Sequence, residues 1–442
     1  MATELLLSSI PRPASTPPYR SLLTSYAAAN PRIPKLSAIF LLRNPCHSTD
    51  LKQKRIRGQQ KWNTALLLHG YRGGVVVEAS AEELAVQVSG QEEEEEEEVA
   101  RVKFNDGSPI SFAPILNGCW TLAGGHGVIS EPRILETMEL YAAHGLTTFD
   151  TADIYGPSEA ILGKFRQQWE NRKRNQSGGD VHHQMQDLQV FTKFVPNIFR
   201  QKFTPKLIED GVRKSMAALQ VQKLDLVQLH WWDYSIPGMV DTAKVLMDLR
   251  GKGLITSIGT TNMSTEALAL IVDAGVPVVC NQVQFSLLDQ RPRELMLKYC
   301  KARNIKLLTY GTLAGGLLSD RYSQKKGLFG KYTRPDLNTS SLQMYWRIVK
   351  EAGGEEHWHQ VLSILAEISG THGVSIPAVA LRWAMQQGPV HPIVGLRNSN
   401  HLHENLTALT FSLTPAEMEK IEAVLAQSPG PQGDCYEMER GN

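Results

Sequence analysis

The sequence predicts an α/β protein built as a single (β/α)8 TIM barrel, preceded by a disordered basic segment and an acidic linker. Three observations carry this. From residue 99 to about 410, short apolar runs alternate with segments of helical period, the rhythm of a parallel-strand domain. Eight such runs occur with no second change of pattern, which favours a closed barrel over an open sheet. The first run leads into Cys119-Trp120-Thr121-Leu122-Ala123-Gly124-Gly125, without the Gly-x-Gly-x-x-Gly turn that opens a doubly wound dinucleotide fold.

Taken in order, residues 1–79 hold 11 Lys and Arg against only Glu4, Asp50 and Glu78, and the first 50 are rich in Ser and Pro with no sustained period. That composition reads as a cleaved transit peptide, so a chloroplast (plastid) location is expected, with processing in the 75–81 stretch. The apolar runs at 36–42 and 65–68 are too short to cross a bilayer, so no membrane span is expected. Residues 80–99 form a linker whose run of seven carboxylates, 92–98, opposes packing by its own repulsion. Without residues 1–79 the chain carries a formal charge of −7 in place of +1, which argues against a nucleic-acid partner.

The barrel is assigned to residues 100–428, with strands at 114–118, 147–150, 188–192, 224–229, 256–260, 278–283, 305–310 and 392–395. Helices between them carry readable ends. Ser130 and Pro132 open one that Gly145 closes, and Thr204-Pro205 opens another with Ile208, Val212, Met216 and Leu219 on one face. Ser264 to Gly275 is a third, and 414–427 reads as an amphipathic helix packed outside the barrel. Two polar insertions, 166–186 and 319–355, are expected as loops, and the second, after the seventh strand, is placed to serve as a substrate lid. Residues 429–442, rich in Gly, Pro and charge, are expected to be a mobile tail.

Chemistry in such a barrel gathers where the strands end, and those positions are unusually polar. The second strand ends in Asp150 and runs into Tyr155, the third leads to Lys193, and the fourth to His230. Thr261-Asn262 follow the fifth, Gln282 lies on the sixth, and Tyr310 ends the seventh. These types suit carbonyl reduction, in which hydride reaches carbon while the oxygen gathers negative charge and needs a proton. Free tyrosine, with a pKa of about 10, is a reluctant acid at neutral pH, and an adjacent ammonium held by a carboxylate would make it a better one. The roles follow: Tyr155 general acid, Lys193 its tuner, Asp150 the partner of Lys193, His230 the donor to the carbonyl oxygen. The five cysteines show no paired spacing, and neither His357/His359 nor His401/His403 is completed by a ligand set, so no metal is expected.

The segment Phe149-Asp150-Thr151-Ala152-Asp153-Ile154-Tyr155-Gly156, with Glu159 and Leu162-Gly163, resembles the second-strand signature of the aldo-keto reductases. Phe191-Thr192-Lys193, the run LDLVQLHW at 224–231, SIGTTN at 257–262 and Asn281-Gln282 resemble the later family segments in order, and the likeness spans roughly 101–425. The resemblance implies NADP(H), with NAD(H) possible, extended across the barrel mouth. It places Asp150, Thr261, Asn262, Gln282 and Tyr310 at the nicotinamide half. The turn containing Gly311, Thr312, Leu313 and Gly315 falls at the pyrophosphate, and Gly395, Arg397, His401, Glu404 and Asn405 at the adenine end. Thr261 stands where Ser is commoner, and the family's Ser-Pro is missing after Tyr310. The Lys-Ser common at the 2′-phosphate subsite is replaced by Gly395-Leu396, and Arg397 remains able to form a bidentate pair with phosphate.

Trp120 and Trp231, with Trp232 and Tyr234, are expected as an aromatic wall around a small carbonyl substrate. No basic cluster marks the pocket, which favours neutral aldehydes, ketones or sugars. The alternative is a cofactor-binding, redox-sensing partner protein with slow reductase chemistry, since some relatives serve as channel-associated subunits. No exposed apolar stripe stands out, so the sequence leaves a monomer and an oligomer both open.

Overall fold

In a computed structural model the described residues are 98–124, 130–176, 185–198, 203–323, 325–326 and 331–440. The expected transit segment and most of the acidic linker lie outside them. A hairpin, β1 (Val102–Lys103) with β2 (Ser111–Phe112), precedes the barrel strands. These are β3 (Leu116–Gly118), β4 (Thr148–Asp150), β5 (Gln189–Phe194), β6 (Leu224–His230), β7 (Ile255–Thr261), β8 (Val278–Gln284) and β9 (Lys306–Tyr310). After a small hairpin, β10 (Lys325–Lys326) with β11 (Lys331–Tyr332), the strand β12 (Val390–Gly395) pairs in parallel with both β9 and β3 and closes the eight-stranded barrel. All eight expected strands are present.

The period of two along each strand divides the residues cleanly. Val190, Val227, Leu229, Leu307 and Val394 face out to the helices and join the main core. Phe191, Leu226, Cys280, Leu308 and Ile393 face in and pack with Phe104, Ile110 and Phe112 of the β1–β2 hairpin, which stoppers the N-terminal end. One step further along the inward rows come Lys193, Gln228, Gln282 and Tyr310, so the apolar plug gives way to a polar layer at the C-terminal mouth.

The helices are α1 (Glu131–Ala143), α2 (Ser158–Gln176), α3 (Pro205–Leu219), α4 (Met239–Gly251), α5 (Thr265–Asp273), α6 (Met296–Arg303) and α7 (Asp320–Ser323). They continue as α8 (Ser340–Glu351), α9 (Gly354–His372), α10 (Ile376–Met385), α11 (Leu402–Thr410), α12 (Pro415–Leu425) and α13 (Glu437–Arg440). The expected caps form: Ser130, Thr204 and Ser264 accept from the backbone N–H groups of Arg133, Leu207 and Ala267. Among the described residues no single helix is long and apolar enough to cross a membrane, and no group of three or more His, Cys, Asp or Glu is placed to hold a metal ion.

Three expectations need correction. The 166–186 insertion is helical as far as Gln176, because Trp169 buries against Phe165 and donates its indole N–H to the Gln186 carbonyl at 2.9 Å. Among its described residues the 319–355 insertion carries α7, α8 and the start of α9, and α8 sends Tyr345, Ile348 and Val349 into the core, so it is no open loop. The chain after Pro429 is held against the barrel by ion pairs and hydrogen bonds. Its polar composition reads as mobile because those partners are 148 to 209 positions away in sequence, as in Arg291 with Glu439 at 2.7 Å.

Candidate active site

Asp150 sits at the centre of the polar layer, buried at the end of β4. One carboxylate oxygen accepts from Lys193 Nζ at 2.6 Å; the other accepts from Gln228 Nε2 at 3.0 Å and Gln282 Nε2 at 2.7 Å. Gln282 also donates to Gln228 Oε1 at 2.9 Å. A carboxylate taken out of water is costly unless its lone pairs are satisfied, and this one has donors from three strands. Gln228 escaped the sequence reading. Its signal was its place two residues before His230 on the same inward row. Room for it comes from Gly259, where a Cβ would stand 2.5 Å from Cys280 Sγ and 3.2 Å from Gln228 Cγ.

Lys193 makes a second bond, to the Thr151 carbonyl at 2.8 Å, and its ammonium lies over the Tyr155 ring, 4.9 Å from the centroid. Trp120 meets Tyr155 edge-to-face, with centroids 4.9 Å apart at 72°. His230 is buried, and its Nε2 has no hydrogen-bond partner among the described residues. Burial first, then the charges of Arg440 and Lys193, push this imidazole down to about 3, so it is a neutral ring. The ring of Trp232 lies 4.1 Å from it.

Trp231, expected in the pocket wall, is not there. It follows His230 by one residue and therefore faces outward, fully buried against Phe203 at 5.0 Å with its indole N–H on the Ile236 carbonyl at 3.1 Å. Trp232 instead packs against His230 and Tyr436. Tyr234 braces the loops, its hydroxyl accepting from Ser264 N at 2.8 Å.

The residues expected at the nicotinamide half lie close together. Thr261 Oγ1 donates to the Gln282 carbonyl at 3.2 Å, and Tyr310 donates its hydroxyl to Asn262 Oδ1 at 2.9 Å. Asn262 adopts a left-handed backbone, φ 56°, a conformation asparagine tolerates better than most residues. Along the following turn Gly311 and Gly315 have φ of 70° and 65°, and one face is covered by Tyr345. Thr312 turns its hydroxyl inward to Thr309, and Leu313 leads into the short 3-10 turn Ala314–Gly316. Beyond β12, which Gly395 ends, Arg397 is exposed; His401 is paired with Glu404 at 2.9 Å, and that contact raises the His401 pKa. Asn405 is buried with its Nδ2 lacking a partner among the described residues.

A parallel eight-stranded barrel that brings Asp150, Lys193, Tyr155 and His230 together at its C-terminal mouth has the architecture of a reductase of the aldo/keto class. The sequence profile of the Aldo/keto reductase family matches residues 114–426, and the chain belongs to that family. The chloroplastic pyridoxal reductase of Arabidopsis thaliana is 30% identical over 338 residues, spanning 73% of this chain and 85% of that protein. Among solved structures, the glycerol dehydrogenase of Gluconobacter oxydans superposes with a TM-score of 0.60 at 22% identity, covering 76% of this chain and 98% of that one. A Klebsiella pneumoniae aldo/keto reductase solved with NADP and acetate gives a TM-score of 0.55 at 18% identity, covering 76% and 97%.

Proposed function

We propose that the protein reduces a small uncharged aldehyde, ketone or sugar carbonyl, reversibly, with NADP(H) as redox partner and NAD(H) the alternative. The observation that carries this is the pairing of a neutral, buried His230 whose Nε2 is free to donate with a Tyr155 flanked by the Lys193–Asp150 ion pair. Bound NADPH supplies the hydride. His230 donates to the substrate oxygen and fixes the carbonyl. Tyr155 then delivers its phenolic proton to that oxygen, and the Lys193 ammonium stabilises the charge left on the phenolate. Asp150 holds Lys193 in place, and Gln228 and Gln282 hold Asp150.

The residues present fit a nicotinamide dinucleotide. Thr261, Asn262, Gln282 and Tyr310 would hold the nicotinamide end, and the 311–316 turn would meet the pyrophosphate. The unpartnered Asn405 amide and Glu404 would face the adenine, and Arg397 would pair with a 2′-phosphate. The Klebsiella relative was solved with NADP, which supports the choice of cofactor class. The basic composition of residues 1–79 and the chloroplastic Arabidopsis relative support plastid targeting.

Nicotinamide absorbance of the full chain with NADPH or NADH and a panel of neutral carbonyls tests the reading. Tyr155→Phe is expected to cut kcat by about 10²–10⁴-fold with cofactor affinity unchanged. Turnover that survives in this variant would remove Tyr155 from its role. Tight cofactor binding with no turnover of any carbonyl by the wild type would favour the cofactor-sensing alternative.

A further inference from the structure

Tyr155 stands on the short loop between β4 and α2, and that loop is laced to the neighbouring strand. Backbone donors carry the pairing past the end of β4: Thr151 N bonds to the Phe191 carbonyl at 2.8 Å and Asp153 N to that of Lys193 at 3.3 Å. The Asp153 side chain takes the next step, its Oδ2 accepting from Val195 N at 3.1 Å. Val195 lies one residue past β5, so a carboxyl supplies the acceptor that a strand ladder would otherwise provide. The loop then turns, with Tyr155 N on the Ala152 carbonyl at 3.0 Å and Ser158 N on that of Tyr155 at 3.1 Å. Asp153 thus ties the turn that carries Tyr155 to the strand that carries Lys193, on both sides of Phe194.

The surroundings of this clasp hold a second acid. Glu159 of α2 is buried and accepts from Thr192 Oγ1 at 2.6 Å, and its charge faces the Asp153 carboxyl, as do those of Lys214 on α3 and Lys193 on β5. Asp153 Oδ1 is covered and has no hydrogen-bond partner among the described residues. A carboxyl with one dry, unpartnered oxygen is better neutral than charged. Burial, then Glu159, outweigh the Val195 bond and the two lysines and raise Asp153 to about 7. The neutral acid still accepts from Val195 through its carbonyl oxygen. Once ionised, it sets a negative charge before the Lys193 ammonium and opposes the pull of that ammonium on the Tyr155 phenol.

We propose that Asp153 is a positioning residue for the reduction: its carboxyl clasps the Tyr155 turn to β5, and its charge state sets how strongly Lys193 acidifies Tyr155. The proposal rests on the reading of Tyr155 as general acid and adds a group that governs it without touching substrate. Neutral Asp153 leaves Tyr155 the stronger acid, so reduction slows as pH rises through the range in which this carboxyl ionises.

The test uses the full chain with Asp153→Asn and Asp153→Ala, NADPH and a short neutral aldehyde. Asp153→Ala is expected to lower kcat by about tenfold or more with the KM for NADPH unchanged, because the general acid is no longer held in register. Asp153→Asn, whose side-chain carbonyl still accepts from Val195, should keep the wild-type kcat at about pH 5.5 and hold it to about pH 8.5, where the wild type falls about threefold or more. A second readout needs no turnover. The phenolate absorbance of Tyr155, taken as the difference between each form and its Tyr155→Phe counterpart, should titrate about half a unit or more lower in Asp153→Asn than in the wild type. Wild-type kcat in Asp153→Ala, or the same pH profile and the same Tyr155 titration in the wild type and Asp153→Asn, would overturn the proposal. If no form of the protein reduces the aldehyde, the reductase reading falls separately, and the Tyr155 titration alone decides whether Asp153 controls that phenol.

Discussion

Asp150 and Lys193 are both buried, and each depends on the other for compensation of its charge. Lys193→Met would leave Asp150 facing two neutral amides, and breaking a buried pair in this way costs about 3–5 kcal/mol. The double variant Asp150→Leu/Lys193→Met should recover much of that loss, because no lone charge remains, while staying inactive; thermal denaturation of the three forms checks it. His230 makes a second prediction. Held down to about 3 by burial, it stays neutral at every working pH. The reduction kcat/KM should therefore show no break from an imidazole between about pH 5 and about 8. A break in that window that disappears in His230→Gln would contradict the neutral donor.

Among the elements, the turn after β9 depends on an unusual backbone. Gly311 has φ 70°, and a Cβ there would stand 2.6 Å from Tyr345 Cε1 on α8. Gly311→Ala should destabilise the protein by about 2 kcal/mol or more, the sum of left-handed strain and overpacking, read from urea denaturation. It should also raise the KM for the cofactor, since the same turn is proposed to meet the pyrophosphate. The insertion carrying α8 is thus tied to the cofactor turn through one aromatic ring. Its polar sequence concealed this, because Tyr345, Ile348 and Val349 make a helical stripe only once Thr339 caps the helix, its side chain accepting from Leu342 N.

The folded molecule as a whole should be sensitive to acid. His391, half-buried with its ring nitrogens covered and its ring edge-on to Phe112 at the N-terminal stopper, is pushed down to about 4, and His230 to about 3, from an ordinary 6.5. Unfolding lets both imidazoles take up protons below about pH 6.5, so stability from this source falls as pH drops from there toward their folded values. Asp153 acts oppositely. Burial raises it to about 7, so its neutral form favours the fold in acid and that contribution is lost as pH rises through 7. Glu159, raised by burial, and His401, raised by Glu404, act with Asp153, while His357, lowered by burial, acts with the other imidazoles; by urea denaturation, His391→Gln should raise the stability at about pH 5 relative to that at about pH 6.5, compared with the wild type. For the precursor, import into isolated chloroplasts should yield a chain beginning in the 75–81 stretch, measured by intact mass; a product retaining residues 1–79 would remove the targeting proposal.

Much of the barrel was legible in the chain before any coordinates. Strand alternation and helix caps are local physics, repeated eight times, and they place Asp150, Lys193, His230, Gln282 and Tyr310 at strand ends without reference to anything distant. The same alternation, applied one residue further, would have turned Trp231 outward and brought Gln228 inward. The seating of Tyr345 on the glycine turn and the docking of Asp434–Arg440 were decided only by the tertiary structure. Each of these joins groups far apart along the chain, and a short polar segment such as Tyr436 to Arg440 carries no periodic signal for partners it meets only after the barrel has closed.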